Sequence, residues 1–542
     1  MNTKAQARLT VETSLHSELS HRIGMERSFL CAVILGLILA QGVLPGPSAH
    51  AAGGDVDLNF VADPNDVVRA VALQDDDKIL IAGDFSQVNN FPNGVARNGI
   101  ARLNEDGSVD TTFMNGLSGA QSARRVYVVA VQDDGKVLIG GDFQDVNGEA
   151  RSGIARLNTD GTLDSSFMAT VSGRVTSVVV QADQKVLIGG DFQDVNGEAH
   201  NGIARLNADG TLDTSFASVM FTGSDSIPWD WCVWAMAVQP DRKVLVAGWF
   251  TRVNGVARTS VARLDIDGTL DATFSNVALG GNDPSYIPVF SVAGQSGGKV
   301  LIGGTFTQVN GVARSGLARL NADGTLDITF MNGLTGTGTG WPVRAIVVHP
   351  DGKIFIGGEF TQFNGVTRNR IARLNADGSL DTTFLNGMSG VTATGTPDVL
   401  AARRQSDGKI LIGGAFSYVN GVPRLCLARL SSSSSNADLS NLGLSNGTLN
   451  PPFAAGTTTY NANVTNNITS ITVTPTASDT SATIKANGAT VTSGSESGAI
   501  NLSVGANTIN VVVTAGDGTT TKTYTITAIR DAIKVYLPLV IR

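Results

Sequence analysis

Short runs of apolar residues recur throughout residues 55–430, separated by Asp-Gly, Asn-Gly and Gly-Gly pairs. The runs are about four to seven residues long, rich in Val, Ile, Leu and Ala, and show no helical period. Asp-Gly and Asn-Gly pairs accept the positive φ angles that tight hairpin turns require. The pattern therefore predicts short β-strands joined by hairpins.

One repeat unit extends from Val126 to Phe167 and contains four such runs. Its Gly-Gly-x-Phe element recurs along the chain, and the second glycine stands at Gly83, Gly141, Gly190, Gly248, Gly304, Gly358 and Gly414. Steps of roughly 50 residues suit the blade of a β-propeller and are too long for one coil of a β-helix. Four strands in each of seven units predict an all-β fold built on a seven-bladed β-propeller.

Two recurring segments are out of step by one unit. Arg-Leu segments end at Leu103, Leu157, Leu206, Leu264, Leu320, Leu374 and Leu430. Asp-x-x-Phe segments end at Phe60, Phe113, Phe167, Phe216, Phe274, Phe330 and Phe384. The first Asp-x-x-Phe segment precedes every Arg-Leu segment, and the last Arg-Leu segment has no successor. The offset predicts that the segment 56–60 pairs with residues 425–430 and closes the ring, which removes two open sheet edges.

The arginine of the Arg-Leu segment occurs once per unit, from Arg102 to Arg429, which predicts a structural ion pair with an Asp of the same or the next blade. The segment that follows, such as Asn207–Asp213, is similar to part of a calcium loop. Such loops need about six or more oxygen ligands and usually a closing bidentate acid. We favour a turn in which Asp caps the next strand, with calcium as the alternative and no other cofactor.

The motif Asp-Gly-Lys-[Ile/Val]-Leu-Ile-Gly-Gly-x-Phe-x-x-Val-Asn-Gly resembles the delta-sixty repeat of bacterial propeller-like proteins over residues 55–430. Several positions depart from it. Asn90 replaces the glycine of Val-Asn-Gly, Gly297-Gly298-Lys299 replaces Asp-Gly-Lys, and Trp249 stands where other units carry Asp, Thr, Glu or Ala. The resemblance implies an extracellular or surface protein and no particular reaction.

A serine run begins a polar linker at residues 431–437, and residues 438–530 change to a composition rich in Thr, Asn, Val and Ile. Their alternation over about seven short runs is typical of an immunoglobulin-like β-sandwich. Leu449-Asn450-Pro451-Pro452-Phe453, Tyr460 and Thr523-Tyr524-Thr525-Ile526 resemble the bacterial cadherin-like β-sandwich domain, which implies a spacer or adhesion module. The acidic calcium motifs of true cadherins are absent. The tail at residues 531–542 fits either a final strand or a sorting tag.

An apolar segment at residues 29–43 follows Arg22 and Arg27 and precedes Ala49-His50-Ala51. This predicts a secretory signal peptide over residues 1–51, with Met25 as an alternative start and a membrane anchor as the less favoured interpretation. The chain carries 39 basic and 47 acidic residues. An acidic secreted protein is a poor candidate for binding nucleic acid or anionic lipid. No later segment is long and apolar enough to span a membrane.

The residues beyond the leader offer little catalytic chemistry. Cys232 and Cys426 fall in the fourth and seventh units, too far apart for a disulfide, and are predicted to be buried. His200 stands where other units carry Arg, and His349 where several carry Gln, so both are interpreted as drift between repeats. Two such histidines do not supply a catalytic triad or a multi-histidine zinc site. We expect a monomer without enzymatic activity.

The blade-to-blade loops vary most in length, and variable loops on a rigid frame are where binding sites usually lie. We predict that they bind an extracellular glycan or protein through aromatic and acidic side chains, namely Trp229, Trp231, Tyr286, Trp341, Asp225, Asp230 and Asp283. One alternative is that Trp231 and Trp341 merely fill the inner end of the ring. Two other functions stay open: an extracellular polysaccharide lyase or hydrolase, and a purely structural surface spacer.

Overall fold

The computed structural model describes residues 53–89, 94–113, 125–223, 231–283, 286–338, 341–385, 388–431, 437–454, 456–479, 482–516 and 520–532. The predicted signal peptide, most of the serine run and residues 533–542 lie outside this part. Two compact units result. Among the described residues, the first comprises Val56–Asp381 with Ser389–Leu430, and the second residues 53–55, 382–388 and 431–532. No helix among the described residues is long and apolar enough to cross a bilayer.

Within the described residues, the first unit contains seven antiparallel ladders of three longer strands each, which we number as blades one to seven in chain order. The innermost strands are Val68–Leu73, Arg125–Val131, Val175–Val180, Cys232–Val238, Val289–Gly294, Val343–Val348 and Asp398–Arg404. The middle strands are Ile79–Gly83, Val137–Asp142, Val186–Gly190, Val244–Trp249, Val300–Gly304, Ile354–Gly358 and Ile410–Ala415. The third strands are Ile100–Leu103, Ile154–Leu157, Ile203–Leu206, Val261–Leu264, Leu317–Leu320, Ile371–Leu374 and Leu427–Leu430.

The innermost strands contact one another in order, and the strand of blade one contacts those of blades two and seven. The seven blades therefore form a closed ring, and the predicted propeller is confirmed. The hydrophobic core lies between neighbouring blades. Leu138 and Ile154 of blade two, for example, pack with Val175, Ile188 and Phe192 of blade three.

A small hairpin, which the sequence pattern did not predict, connects the middle and third strands of each blade. Its strands are Gln87–Val88 and Val95–Ala96, Asp145–Val146 and Glu149–Ala150, Asp194–Val195 and Glu198–Ala199, Arg252–Val253 and Val256–Ala257, Gln308–Val309 and Val312–Ala313, Gln362–Phe363 and Val366–Thr367, and Tyr418–Val419 and Val422–Pro423. Phe221–Thr222, Leu279–Gly280 and Val391–Thr392 add a third strand to three of these hairpins. Strands of two residues are too short to show an alternating pattern. One 3-10 turn, Ser296–Gly298, contains two of the glycines that replace Asp-Gly.

The Asp-x-x-Phe segments are shorter as strands than predicted. In blade three the segment pairs with the third strand through one bridge, between Leu206 and Leu212. The chain turns directly afterwards, because Asp213 Oδ1 accepts hydrogen bonds from the backbone N–H and the hydroxyl of Ser215 at 3.0 and 2.6 Å. The outermost position of each blade is thus a bridge followed by a turn stabilised by the Asp side chain.

The N-terminal segment closes the ring as the offset predicted. Val56 forms a bridge with Leu430, and the backbone N–H of Asp57 donates to the carbonyl oxygen of Arg429 at 2.8 Å. These residues lie more than 360 positions apart in the sequence. The outermost position of blade seven is therefore filled by the chain segment that precedes blade one.

In blades one to five and in blade seven, the arginine of the Arg-Leu segment joins its own blade to the next one. Arg205 Nε donates to Asp213 Oδ2 at 2.6 Å within blade three, and its Nη1 donates to the carbonyl oxygen of Ile266 at 2.6 Å in blade four. The guanidinium also lies 4.8 Å from the centroid of the Phe216 ring. The side chain is buried, and its charge is balanced by Asp213, the Ile266 carbonyl oxygen and the Phe216 aromatic ring. The predicted ion pair is thus present within the blade.

Arg429 makes the same set of contacts across the seam of the ring. Its Nε donates to Asp57 Oδ2 at 3.0 Å, its Nη1 donates to the carbonyl oxygen of Glu105 at 2.6 Å, and its guanidinium lies 4.7 Å from the Phe60 ring centroid. The leading Asp-x-x-Phe segment therefore supplies the acid and the aromatic ring that Arg429 needs. Burial alone would raise the pKa of Asp57, but Arg429, the Asn59 N–H and Lys409 outweigh it and lower the pKa.

Both glycines of the Gly-Gly pair lie so close to neighbouring atoms that a side chain would clash. The innermost strand shifts register opposite the second glycine, as between Val175 and Ser177 in blade three. A Cβ on Gly190 would lie 1.9 Å from the carbonyl oxygen of Arg174, and a Cβ on Gly189 would lie 2.8 Å from Cγ1 of Val233 in the next blade. The second glycine therefore permits a β-bulge, and the first permits close packing between blades.

The second unit is a β-sandwich. Its strands are Leu439–Leu444, Thr459–Val464, Ser470–Ile471, Val473–Ala477, Thr483–Ala486, Ala489–Val491, Ile500–Asn501, Gly505–Thr514 and Thr521–Arg530. Five of them form one sheet in which Thr459–Val464 runs parallel to Thr521–Arg530. Tyr460 and Tyr524 are fully buried in the core. Their hydroxyls stay satisfied, because Tyr460 donates to the carbonyl oxygen of Thr457 and Tyr524 accepts from the Leu439 N–H.

Replacing Gly190 with Ala should destabilise the propeller by about 2–4 kcal/mol, because the added methyl group clashes with backbone that holds the bulge. Gly294→Ala is the matched control, since a Cβ there meets nothing within 4 Å. Chemical denaturation of both variants measures the difference. Equal free energies of unfolding would contradict the structural role given to the second glycine.

Replacing Asp57 with Ala should open the seam of the ring, because it leaves the Arg429 guanidinium buried without its acid, a loss of roughly 3–5 kcal/mol. Hydrogen exchange should then rise first at Val56 and at Leu427–Leu430. Asp213→Ala removes the same contact where the chain is continuous, so its effect should stay within blade three. The same exchange pattern in both variants would refute the closure by the N-terminal segment.

Candidate ligand-binding site at the mouth of the ring

The structure describes four of the seven residues predicted to bind a ligand. Asp225, Trp229 and Asp230 lie outside the described residues. Tyr286 and Trp341 are 42% and 44% exposed, and Asp283 is also exposed.

Trp231 is 8% exposed and packs in the core between blades three and four. A Cβ on Gly202 would lie 2.6 Å from its ring. Trp231 therefore belongs to the core rather than to a ligand-binding surface, and it does not fill the inner end of the ring.

Three positions of each blade meet where the innermost strand begins and the middle strand ends. We call them the mouth positions. The bulge position holds Arg69, Tyr127, Thr176, Trp234, Phe290, Arg344 and Leu400. The position two residues earlier holds Val67, Arg125, Arg174, Cys232, Pro288, Pro342 and Asp398. The position after the second glycine holds Asp84, Asp142, Asp191, Trp249, Thr305, Glu359 and Ala415.

The mouth positions differ from blade to blade, whereas the frame around them repeats. The residue between the first two positions is valine in every blade and is fully buried, at Val68, Val126, Val175, Val233, Val289, Val343 and Val399. Packing in the core requires the same residue at this place in every blade. The residues at the mouth positions instead differ between blades in charge, size and aromatic character.

Blades four and five place four aromatic rings at the mouth. Trp234 and Phe290 occupy successive bulge positions with ring centroids 5.9 Å apart. Trp249 meets Tyr286 edge to face at 4.6 Å. Tyr286, predicted from the sequence as a ligand contact, therefore packs against Trp249, which was not predicted as one. Each of the two ring pairs presents partly exposed apolar faces.

Blades six and seven add an arginine and two acids next to these rings. Arg344 lies 4.3 Å from the Phe290 ring centroid, and its Nε lies 2.7 Å from Asp398 Oδ2. Its Nη2 donates to Glu359 Oε1. Burial raises the pKa of Asp398 to about 7, with Arg344 opposing the rise and Glu359 adding to it.

Several polar atoms of this arc are buried without a hydrogen-bond partner among the described residues. They include the indole N–H of Trp234, the hydroxyl of Thr305, Oδ1 of Asp398 and Nε of Arg344, which pairs with Asp398 by charge without hydrogen-bond geometry. Buried polar groups in proteins are nearly always hydrogen-bonded, so each such atom requires water or a ligand. One N–H donor, one hydroxyl and one carboxyl oxygen in blades four, five and seven thus remain without a hydrogen-bond partner in the described structure.

Blades one to three carry a different arc, in which charges are paired internally. Arg69 donates two hydrogen bonds to Asp84 at 2.6 and 2.7 Å, and its guanidinium lies 5.0 Å from the Tyr127 ring centroid. Arg174 Nε donates to Asp191 Oδ2 at 2.7 Å. The bonding capacity of these groups is largely used within the protein.

The other residues considered as candidates from the sequence are hydrogen-bonded or buried within the fold. Asp209 Oδ1, in the segment similar to a calcium loop, accepts hydrogen bonds from the N–H and the hydroxyl of Thr211 at 2.9 and 2.6 Å. His200 and His349 are buried, and burial lowers the pKa of both. Cys232 and Cys426 are buried as predicted. No cluster of three or more His, Cys, Asp or Glu among the described residues is arranged to hold a metal ion.

The geometry is that of a β-propeller protein with an appended β-sandwich. Seven segments match the model of a beta-propeller described as a domain of unknown function (DUF5122), at residues 74–113, 132–167, 181–216, 239–274, 295–330, 349–384 and 405–438. Residues 439–531 match the cadherin-like beta sandwich domain. Seven segments of the chain are thus similar to DUF5122 beta-propeller repeats, and the segment that follows them is similar to a cadherin-like domain. The delta-sixty name is not tested by these matches and stays a prediction.

Individual relatives share limited parts of the chain. A protein of Evansella cellulosilytica named "Putative membrane protein" is 44% identical over 106 residues, which are 20% of this chain and 16% of that relative. PorZ, a surface component of the type-IX secretion system of Porphyromonas gingivalis, is 12% identical with a TM-score of 0.39, covering 90% of this chain and 61% of that chain. Virginiamycin B lyase from Staphylococcus aureus is 9% identical with a TM-score of 0.41, covering 67% and 94%. Similarities this low carry no inference about activity.

Replacing Asp398 with Asn should flatten the pH dependence of stability between about pH 4 and 7. A carboxyl group whose folded pKa is raised holds its proton longer in the native state, so stability falls as pH rises through this window. The variant lacks that group, and its melting temperature should decrease less than that of the wild type between pH 5 and pH 8.

Glu359→Gln provides the comparison, because losing this neighbouring charge should lower the pKa of Asp398 and move the window to lower pH. Identical pH profiles for the wild type and Asp398→Asn would contradict the assignment.

Proposed function

We propose that the protein acts at the cell surface or in the extracellular space, where the mouth of its propeller binds a glycan or a protein and the cadherin-like domain serves as a spacer or attachment module. The segment at residues 29–43 supports export of the chain. The acidic composition disfavours nucleic acid and anionic lipid as partners.

The contrast between the constant frame and the divergent mouth positions carries this proposal. A spacer would need only the frame, in which Val233 and Gly248 have equivalents in every blade. It would gain nothing from two tryptophans at the mouth positions of blade four, where the other blades carry no tryptophan at all. Partly exposed aromatic rings beside polar groups at the end of a ring are typical of ligand-binding sites.

The mouth offers less support for an enzyme. The strongest candidate acids, Glu359 and Asp398, both form ion pairs with Arg344. Glycosidases instead hold their two carboxyl groups about 5 Å or more apart, with the substrate or a water between them. We therefore propose binding without catalysis.

Simultaneous replacement of Trp234 and Phe290 with Thr and of Trp249 with Ala should abolish ligand binding, because it removes most of the aromatic surface. Each new residue already occupies the equivalent position in another blade, at Thr176 or Ala415, so the frame should accept it. The full chain and the variant would be compared on arrays of extracellular glycans and of envelope proteins.

Ile328→Thr is the control, because Ile328 is 67% exposed and lies in an Asp-x-x-Phe segment away from the mouth positions. Its binding should equal that of the wild type. Binding by the triple variant at wild-type strength, or no binding by the wild type on either array, would overturn the proposed function.

A further inference from the structure

We propose that the arc of mouth positions in blades four to seven binds a neutral oligosaccharide, with a sugar ring stacked on the Trp234 and Phe290 faces and its hydroxyls hydrogen-bonded to Thr305, Asp398 and the Trp234 N–H. The inference rests on the proposed function and deepens it by naming the ligand class. It follows from three properties of this arc: its aromatic faces, its unpartnered polar atoms and its charge balance.

The aromatic faces suit the apolar side of a sugar ring. Trp234 and Phe290 are tilted by 58° to each other at 5.9 Å, so they form two walls of an open angle rather than a closed stack. Both side chains are partly exposed, and Tyr286, whose ring meets that of Trp249, is 42% exposed. Broad, rigid aromatic surface provides contact area at low cost in conformational entropy.

The unpartnered polar atoms demand a ligand with both donors and acceptors. The Trp234 N–H can only donate, Asp398 Oδ1 accepts when ionised, and the Thr305 hydroxyl does both. A sugar hydroxyl is both donor and acceptor, so a polyhydroxylated ring can satisfy all three. An aliphatic ligand would leave them unsatisfied, at a cost of about 1–3 kcal/mol each.

The charge balance disfavours an ionic ligand at this arc. The position that a cation would take above Phe290 is already occupied by the Arg344 guanidinium at 4.3 Å. The same guanidinium is held by Glu359 and Asp398, so it is not available as a site for an anion. Recognition is left to hydrogen bonds and to contact with the rings, which is the chemistry of a neutral sugar.

The arc of blades one to three provides an internal contrast. Tyr127 holds the bulge position of blade two, as Trp234 does in blade four, and the Arg69 guanidinium lies over its ring as that of Arg344 lies over Phe290. The acids beside it, Asp84 and Asp191, are paired with arginines. An aromatic residue at the same position is thus present on both arcs, and the unpartnered polar atoms Thr305 Oγ1, Trp234 Nε1 and Asp398 Oδ1 lie on one of them.

The test is calorimetric titration of the full chain with hexasaccharides of glucose in α-1,4, β-1,4 and β-1,3 linkage, mannose, xylose and N-acetylglucosamine. Hexagalacturonate and hexameric chitosan serve as acidic and basic counterparts. At least one neutral hexasaccharide should bind, and Trp234→Thr and Phe290→Thr should each weaken it tenfold or more. Tyr127→Thr, the same change on the other arc, should alter affinity less than twofold.

Thr305→Val tests the polar half of the site without disturbing the rings, because it replaces one hydroxyl by a methyl group of similar size. It should weaken binding of the same neutral hexasaccharide about fivefold while the melting temperature stays within a few degrees of the wild type. This variant keeps the inference falsifiable if either ring variant folds poorly.

The outcomes separate the two levels of the proposal. Equal losses in Tyr127→Thr and Trp234→Thr, or binding of the charged hexasaccharides alone, would overturn the neutral-sugar arc while the proposed function stands. Binding to envelope proteins on the array with no oligosaccharide bound would do the same. Failure of the wild type on both arrays and in every titration would overturn both.

Discussion

The ring depends on one repeated interaction, the arginine that joins the third strand of one blade to the turn of the next. In blades one to five and in blade seven, the guanidinium contacts an acid, a phenylalanine ring and a carbonyl oxygen of the following blade, as for Arg205. A buried guanidinium deprived of its acid is strongly destabilising. The chain must therefore supply Asp57 and Phe60 to Arg429, and it does so with the segment before blade one. Ring closure follows from the need to satisfy the last arginine.

The glycine pair lets this regular ring carry an irregular site. The second glycine permits the backbone of the innermost strand to bulge, and the bulge turns one residue per blade out of the packed ladder. Val175 on one side of Thr176 remains fully buried and fixes the frame. Because the bulged residue does not pack in the core, each blade can carry a different side chain there without loss of the fold. In each innermost strand, the buried valine thus stabilises the fold, and the bulged residue that follows it is free to differ between blades.

Most of the fold was predictable from the sequence because its signals are local and repeated. The Asp-Gly and Asn-Gly turns mark the strands, and the offset of Asp57–Phe60 marks the closure. The site was less predictable. A search for aromatic and acidic residues in long loops selected Trp231, whose burial depends on the space that Gly202 leaves in the neighbouring blade. It passed over Trp234 and Asp398, which lie within strands. Their signal is a difference between equivalent positions, which appears only when the repeats are compared residue by residue.

Charge across the whole mouth is consistent with recognition of a neutral ligand. The mouth positions contain four arginines and five carboxyl groups, namely Arg69, Arg125, Arg174, Arg344, Asp84, Asp142, Asp191, Glu359 and Asp398. Most of these groups are paired with one another, so their fields largely cancel at the distance of an approaching ligand. Long-range steering of a charged partner is therefore weak at this end of the ring. What distinguishes one arc from the other is short-range: exposed rings and unpartnered polar atoms in blades four to seven, and saturated ion pairs in blades one to three. A ligand that gains affinity only on contact, through ring faces and hydroxyl groups, suits the first arc and gains little from the second.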